Sequence, residues 1–198
     1  MRNKGFGGIV MATAVICEFN PFHNGHKYLL ESAKNVLKEP VIAIMSGSFT
    51  QRGEVAVCDK FVRAKSALEN GADLVLELPV VFSLSGAEGF AKAGVAIASA
   101  FDCTNYLAFG SESGDCELLK KSANAVCDER VQALVRDGMK NGGYYPRELE
   151  NAVKTVFGDE ISSVLCEPNN ILGVEYIKAL NGTGVEPFSV CLLYTSDA

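Results

Sequence analysis

Both histidines of this chain, His23 and His26, fall in one short segment, Phe19-Asn20-Pro21-Phe22-His23-Asn24-Gly25-His26. Imidazoles three residues apart share one side of a first helical turn. From there they can donate hydrogen bonds to phosphoryl oxygens and stabilise the charge that builds on a leaving pyrophosphate, which is electrostatic catalysis without a covalent intermediate. Gly25 removes a side chain where the main chain must pass close to a ligand, and Pro21 stiffens the approach. The plainer alternative is that the rings only pack or bond locally, with Asn24 as an ordinary helix cap. A zinc site fits poorly, because two histidines without a third ligand at metal spacing leave a tetrahedral ion half-coordinated.

The place of the segment matters as much as its composition. Thr13 to Glu18 reads as a first strand, and Leu29, Leu30, Ala33, Val36 and Leu37 then recur at helical spacing until Pro40. The histidine turn therefore sits where strand hands over to helix. In open α/β sheets ligands collect at that point, and unpaired helix N–H groups and the positive dipole end meet a phosphate there. Further strands are predicted at Val41 to Met45, Leu74 to Leu78 and Tyr106 to Phe109. Between them Asp59 caps a helix whose apolar face carries Val62, Ala67 and Leu68, and a small-residue helix runs from about Ala87 to Ala100. Gly110 is expected to begin a turn. Helical periods near Cys116 to Cys127, Val131 to Lys140, Pro146 to Phe157 and Asn170 to Leu180 precede a fifth strand at Glu186 to Leu193. The alternation predicts an α/β fold in one domain, a mostly parallel sheet flanked by helices with extra helices toward the C-terminus.

With 48% hydrophobic residues in 198, the chain can bury a sizeable core. Charged residues or glycine interrupt every apolar run before the roughly 20 residues a membrane span needs. The 7 cysteines are odd in number, scattered and free of any C-x-x-C pair, which predicts a reduced, cytoplasmic setting. A net charge of −6 lacks the basic footprint of a protein that grips nucleic acid through its phosphates, so RNA contact must be local or lie elsewhere. One cationic edge does stand out: Arg52 in the second loop, then Lys60, Arg63 and Lys65 on the next helix, a set that could face phosphates or a nucleic-acid backbone. Glu77 and Glu88 are carboxylates near the same edge.

His23-Asn24-Gly25-His26 is similar to the HxGH signature of the HIGH-motif nucleotidylyltransferases, and Glu18 to His26 resembles one branch, the tRNA(Met) cytidine acetate ligase family. Further stretches resemble that family in order: Met45-Ser46-Gly47-Ser48-Phe49-Thr50-Gln51-Arg52-Gly53-Glu54, Asp59-Lys60-Phe61-Val62-Arg63-Ala64-Lys65, Asp73-Leu74-Val75-Leu76-Glu77-Leu78-Pro79, Phe109-Gly110-Ser111-Glu112 and Pro168-Asn169-Asn170-Ile171-Leu172-Gly173. The resemblance implies a Rossmann-like domain of the HUP type. It implies that ATP, with Mg²⁺, and acetate give acetyl-adenylate, whose acetyl group passes to the wobble cytidine of elongator tRNA(Met). It also implies ATP contacts along Ile16, Cys17, Glu18, Phe19, Asn20, Pro21, Phe22, His23, Asn24, Gly25, His26, Lys27, Tyr28 and Leu29. Gly110 and one of Asn169 and Asn170 join them, with His23 and His26 as the catalytic pair.

Members of that family continue into a C-terminal region implicated in tRNA recognition, and after Glu186-Pro187-Phe188-Ser189-Val190 they carry a Lys-Arg pair. This chain reads Cys191-Leu192-Leu193-Tyr194-Thr195-Ser196-Asp197-Ala198. The expectation is a leader over residues 1–12, with Met11 as an alternative start, an ATP-binding domain over 13–190, and an aberrant tail over 191–198 of a truncated protein. Two other functions share the fold and loop: a small-molecule adenylyltransferase of the pantetheine-phosphate or nicotinamide-nucleotide type, and a nucleotide- or RNA-binding module without catalysis.

Overall fold

Apolar, β-branched runs separated by segments of helical period build five strands and nine α-helices among the described residues, 10–192, of this computed structural model. In order these are β1 (Ala12–Cys17), α1 (Asn24–Leu37), β2 (Val41–Ser46), α2 (Lys60–Glu69), β3 (Leu74–Leu78), α3 (Val80–Ser83), α4 (Ala87–Ser99) and β4 (Thr104–Ser111). Then come α5 (Cys116–Cys127), α6 (Glu129–Lys140), α7 (Tyr145–Phe157), α8 (Asp159–Ser163), a 3₁₀ turn (Val164–Cys166), α9 (Pro168–Leu180) and β5 (Glu186–Cys191). The predicted leader before residue 10 and the tail after residue 192 lie outside the described residues.

The five strands form one all-parallel sheet in the order β3-β2-β1-β4-β5. Alternation along each strand sorts its side chains to two faces. Val15, Val41, Ala43 and Met45 pack with Leu29, Leu30 and Ala33 of α1 and Ala67 of α2. Ala14, Ile16, Ile42, Ile44, Leu107 and Phe109 face the other way, against α4, α9 and the remaining helices. This is a Rossmann-like, doubly covered sheet. Strand order reverses between β1 and β4, so the carboxyl ends of those two hydrogen-bonded neighbours border the crevice in which such folds bind ligands.

Four local expectations are corrected. On α2, Val62 and Leu68 are exposed, and the buried residues are Arg63 and Ala67, because the helix turns its polar arginine inward. Gly110 lies inside β4 instead of starting a turn; a Cβ there would come within 2.5 Å of Leu192 Cδ2, so the missing side chain makes room for the chain leaving β5. The helix expected from Asn170 begins at Pro168, with Glu167 at its N-cap position, so Asn169 and Asn170 fall within its first turn. Ala12, assigned to the leader, begins β1.

Candidate nucleotide site

His23 closes the strand-to-helix turn by capping α1. Its backbone is extended, its Nδ1 accepts from the Gly25 N–H at 3.1 Å, and its own N–H donates to His26 Nδ1 at 3.3 Å. The two imidazoles thus form a reciprocal capping box, so the cap that the plainer alternative gave to Asn24 is made by the histidines themselves. The rings stack with centroids 3.6 Å apart and planes 24° apart. Phe19, fully buried, supports His26 from 4.9 Å, and Phe22 from 5.7 Å. A Cβ on Gly25 would meet His23 Cε1 at 3.0 Å, so the space that glycine leaves is filled by the histidine ring itself.

A nitrogen that accepts a hydrogen bond carries no proton, so this arrangement puts the proton of each ring on Nε2. Burial, and then the neighbouring His23, lower the His26 pKa to about 4, which keeps that ring neutral at neutral pH. Two Nε2–H donors beside the N-terminus of a 14-residue helix suit phosphoryl oxygens.

Across the switch, the end of β4 meets the start of α9. Glu112 Oε1 accepts from the Asn169 N–H at 3.2 Å and from Asn169 Nδ2 at 2.8 Å, while Oε2 accepts from the Asn170 N–H at 2.8 Å. Asn170 is buried, and its Oδ1 accepts from the Ser113 N–H at 3.1 Å. Ser111 and Ser189 share a 2.6 Å hydroxyl contact that ties β4 to β5 at the same level.

The model of the HIGH Nucleotidyl Transferase family matches residues 10–190. The chain belongs to that family. Among curated proteins it is similar to the tRNA(Met) cytidine acetate ligases of Caldanaerobacter subterraneus subsp. tengcongensis (43% identical, covering 93% of this chain and 48% of that protein) and of a Thermoanaerobacter species (40%, covering 92% and 48%). Among solved structures it is similar to Thermotoga maritima TmcAL bound with alpha-thio ATP, with a TM-score of 0.87, 38% identity, and coverage of 92% of this chain and 47% of that one. The chain spans about half the length of the curated relatives it matches.

The expected site residues of this HIGH nucleotidyl transferase fall into four groups. His23 and His26 meet in the turn, with Asn20, Pro21, Phe22, Asn24 and Gly25 around them. Ile16, Phe19 and Leu29 send their side chains into the core, and Cys17 is a thiol whose pKa burial raises well above the usual value. Lys27 reaches toward Glu31 at 3.9 Å along the exposed side of α1, where Tyr28 is also exposed. Asn169 and Asn170 open α9 beside Glu112, and Gly110 lies two positions before Glu112 in β4, against Leu192.

The cationic edge comes apart. Arg52 is exposed, and Lys60 is held by Glu77 at 2.6 Å. Arg63, expected to reach a phosphate or tRNA, is buried and directs its guanidinium to main-chain carbonyls, because the inward face of α2 is closed over by the loop before it. Glu88 pairs with Lys92 at 2.6 Å on the surface of α4. Sequence reasoning gave no role to Glu112, whose partners lie 57 and 58 positions away, nor to Glu18 and Asn20 as loop anchors. Glu18 Oε1 accepts from the Gln51 N–H at 2.5 Å, and Asn20 Oδ1 accepts from the Val57 N–H at 2.8 Å. A cavity of about 490 Å³, lined by Lys121, Asn124, Asp128 and Phe157, lies by the C-terminal half of α5, away from the strand ends.

Proposed function

We propose that this chain is the adenylate-forming domain of a tRNA(Met) cytidine acetate ligase. An acetate oxygen attacks the α-phosphorus of ATP, the bond from that phosphorus to the bridging oxygen breaks, and pyrophosphate leaves. The Nε2–H groups of His23 and His26 donate to phosphate oxygens as charge builds on them. The exocyclic amine of the wobble cytidine in elongator tRNA(Met) then takes the acetyl group, loses a proton and releases AMP.

The observation that carries this reading is the stacked pair of imidazoles, joined in a reciprocal capping box at the N-terminus of α1, beside the strand-order reversal. ATP contacts are assigned to the turn from Cys17 to Tyr28, to the Gly110 level of β4 and to the first turn of α9. Among the described residues no group of three or more His, Cys, Asp or Glu side chains could hold a metal, so Mg²⁺ is assigned to the phosphates of the nucleotide it accompanies. Arg52 is the exposed cation proposed to meet phosphate or tRNA. The net charge of −6 supports placing most tRNA recognition outside this domain. A cytoplasmic setting follows from free cysteines and a tRNA substrate.

Acetate-dependent exchange of labelled pyrophosphate into ATP tests the proposal, with this chain, its His26→Ala variant and the full-length Caldanaerobacter relative side by side. Exchange that needs both acetate and His26 establishes acetyl-adenylate chemistry. Exchange that needs a phosphorylated acceptor such as pantetheine phosphate would replace the proposal with a small-molecule adenylyltransferase.

A further inference from the structure

Arg63 is 1% exposed and is the largest fully buried side chain among the described residues. Burying a guanidinium is costly unless its donors are matched, and here the match is made by main-chain carbonyls. Nε donates to Cys58 O at 3.2 Å, Nη1 donates to Glu18 O at 2.5 Å and to Ser46 O at 3.1 Å, and Nη2 donates to Gly47 O. Those carbonyls belong to three separate segments: the exit from β1, the exit from β2 and the entry to α2. Each lies where a regular hydrogen-bond ladder has just ended or not yet begun, so each needs a partner from elsewhere.

The residue after Glu18 makes the contact with β1 consequential. Phe19 has φ of 49°, a left-handed backbone that is strained for a bulky side chain and persists only when its surroundings hold it. From that bend the chain runs directly into Phe22, His23 and His26. We propose that Arg63 is the positioning residue of the nucleotide site, fixing the Glu18 carbonyl and with it the bend from which the chain carries the two imidazoles into the N-terminus of α1. Glu18 Oε1 and Asn20 Oδ1 carry the same registration outward to Gln51 and Val57 of the intervening loop. No substrate touches Arg63; it acts through the main chain. The inference rests on the adenylate-forming reading for its kinetic consequence and on geometry for its structural one.

The test uses the whole chain with Arg63→Lys and Arg63→Met, alongside wild type. Lysine keeps the charge but not the planar fork, so one ammonium cannot span three segments. Arg63→Lys is expected to melt cooperatively yet bind ATP about 10- to 100-fold more weakly, the loss typical of a slightly misplaced site. In the exchange assay the KM for ATP should rise and that for acetate should not. Amide hydrogen exchange should show Gln51 and Val57 losing protection while the β4–β5 ladder keeps its own. ATP affinity within twofold of wild type in the folded lysine variant would overturn the proposal, as would loss of cooperative melting in both variants, which would make Arg63 a determinant of global stability. Wild type that bound no ATP would sink the proposed function instead, and the amide comparison would still decide whether Arg63 holds the turn.

Discussion

The N-termini of α1 and α9, both at the carboxyl edge of this sheet, are finished in opposite ways. The N-terminus of α1 is capped by imidazoles that use Nδ1 inward and keep Nε2–H as donors. The N-terminus of α9 is met by a carboxylate from the loop after β4, with Glu112 accepting three hydrogen bonds from Asn169 and Asn170. A helix N-terminus attracts one anion well. At α9 the protein supplies that anion itself, so the asparagines are set as fixed polar groups, whereas at α1 the donors are left for a ligand.

That contrast is open to breaking. His26→Ala should lower acetate-dependent pyrophosphate exchange by about 10²–10³-fold, the usual cost of deleting a donor at a developing charge. Asn169→Ala should lower it by less than about tenfold, since its amide is already engaged by Glu112. The reverse ranking in that assay would mean that the phosphates sit at α9. The next effect in size is on stability: Glu112→Gln should cost about 1.5–3 kcal/mol by urea unfolding, because its hydrogen bonds are charge-assisted. His23→Ala, by the same measurement, should cost only about 1 kcal/mol, the worth of an ordinary cap. Equal costs would erase the distinction between the two ends.

The smallest expected effect is in pH dependence. Burial first, and the neighbouring His23 second, depress the His26 pKa from 6.5 to about 4, so between those values the unfolded chain binds more protons than the folded one. The stability contributed by this ring is therefore complete above pH 6.5 and declines as pH falls toward 4. An NMR titration of the His26 ring with a midpoint near 6.5 would show that it is not held as described.

Element types and order were readable because apolar periods change plainly from strand to helix, and the turn was readable because both histidines and a glycine crowd into it. What could not be read was partnership. An arginine on a helix between Val62 and Leu68 looks like a surface cation, and only the fold shows that α2 turns it inward toward carbonyls 5 to 45 positions away. Gly110 looked like a turn residue, yet it is a strand position emptied for Leu192. Glu112 and the asparagines are separated by the whole helical layer from α5 to the 3₁₀ turn, so no local pattern connects them.

The tautomer of the histidine pair has a consequence for ionic strength. Ring N–H groups and a helix end act on a ligand through dipoles, which mobile salt screens far less than it screens exposed ion pairs. Whatever this turn contributes to holding a triphosphate should therefore survive between about 0.05 and 0.5 M salt, a range across which contacts made by surface lysines and arginines fade. Under the proposed function, nucleotide capture would then be nearly indifferent to salt, and any tRNA capture made through surface cations steeply dependent on it.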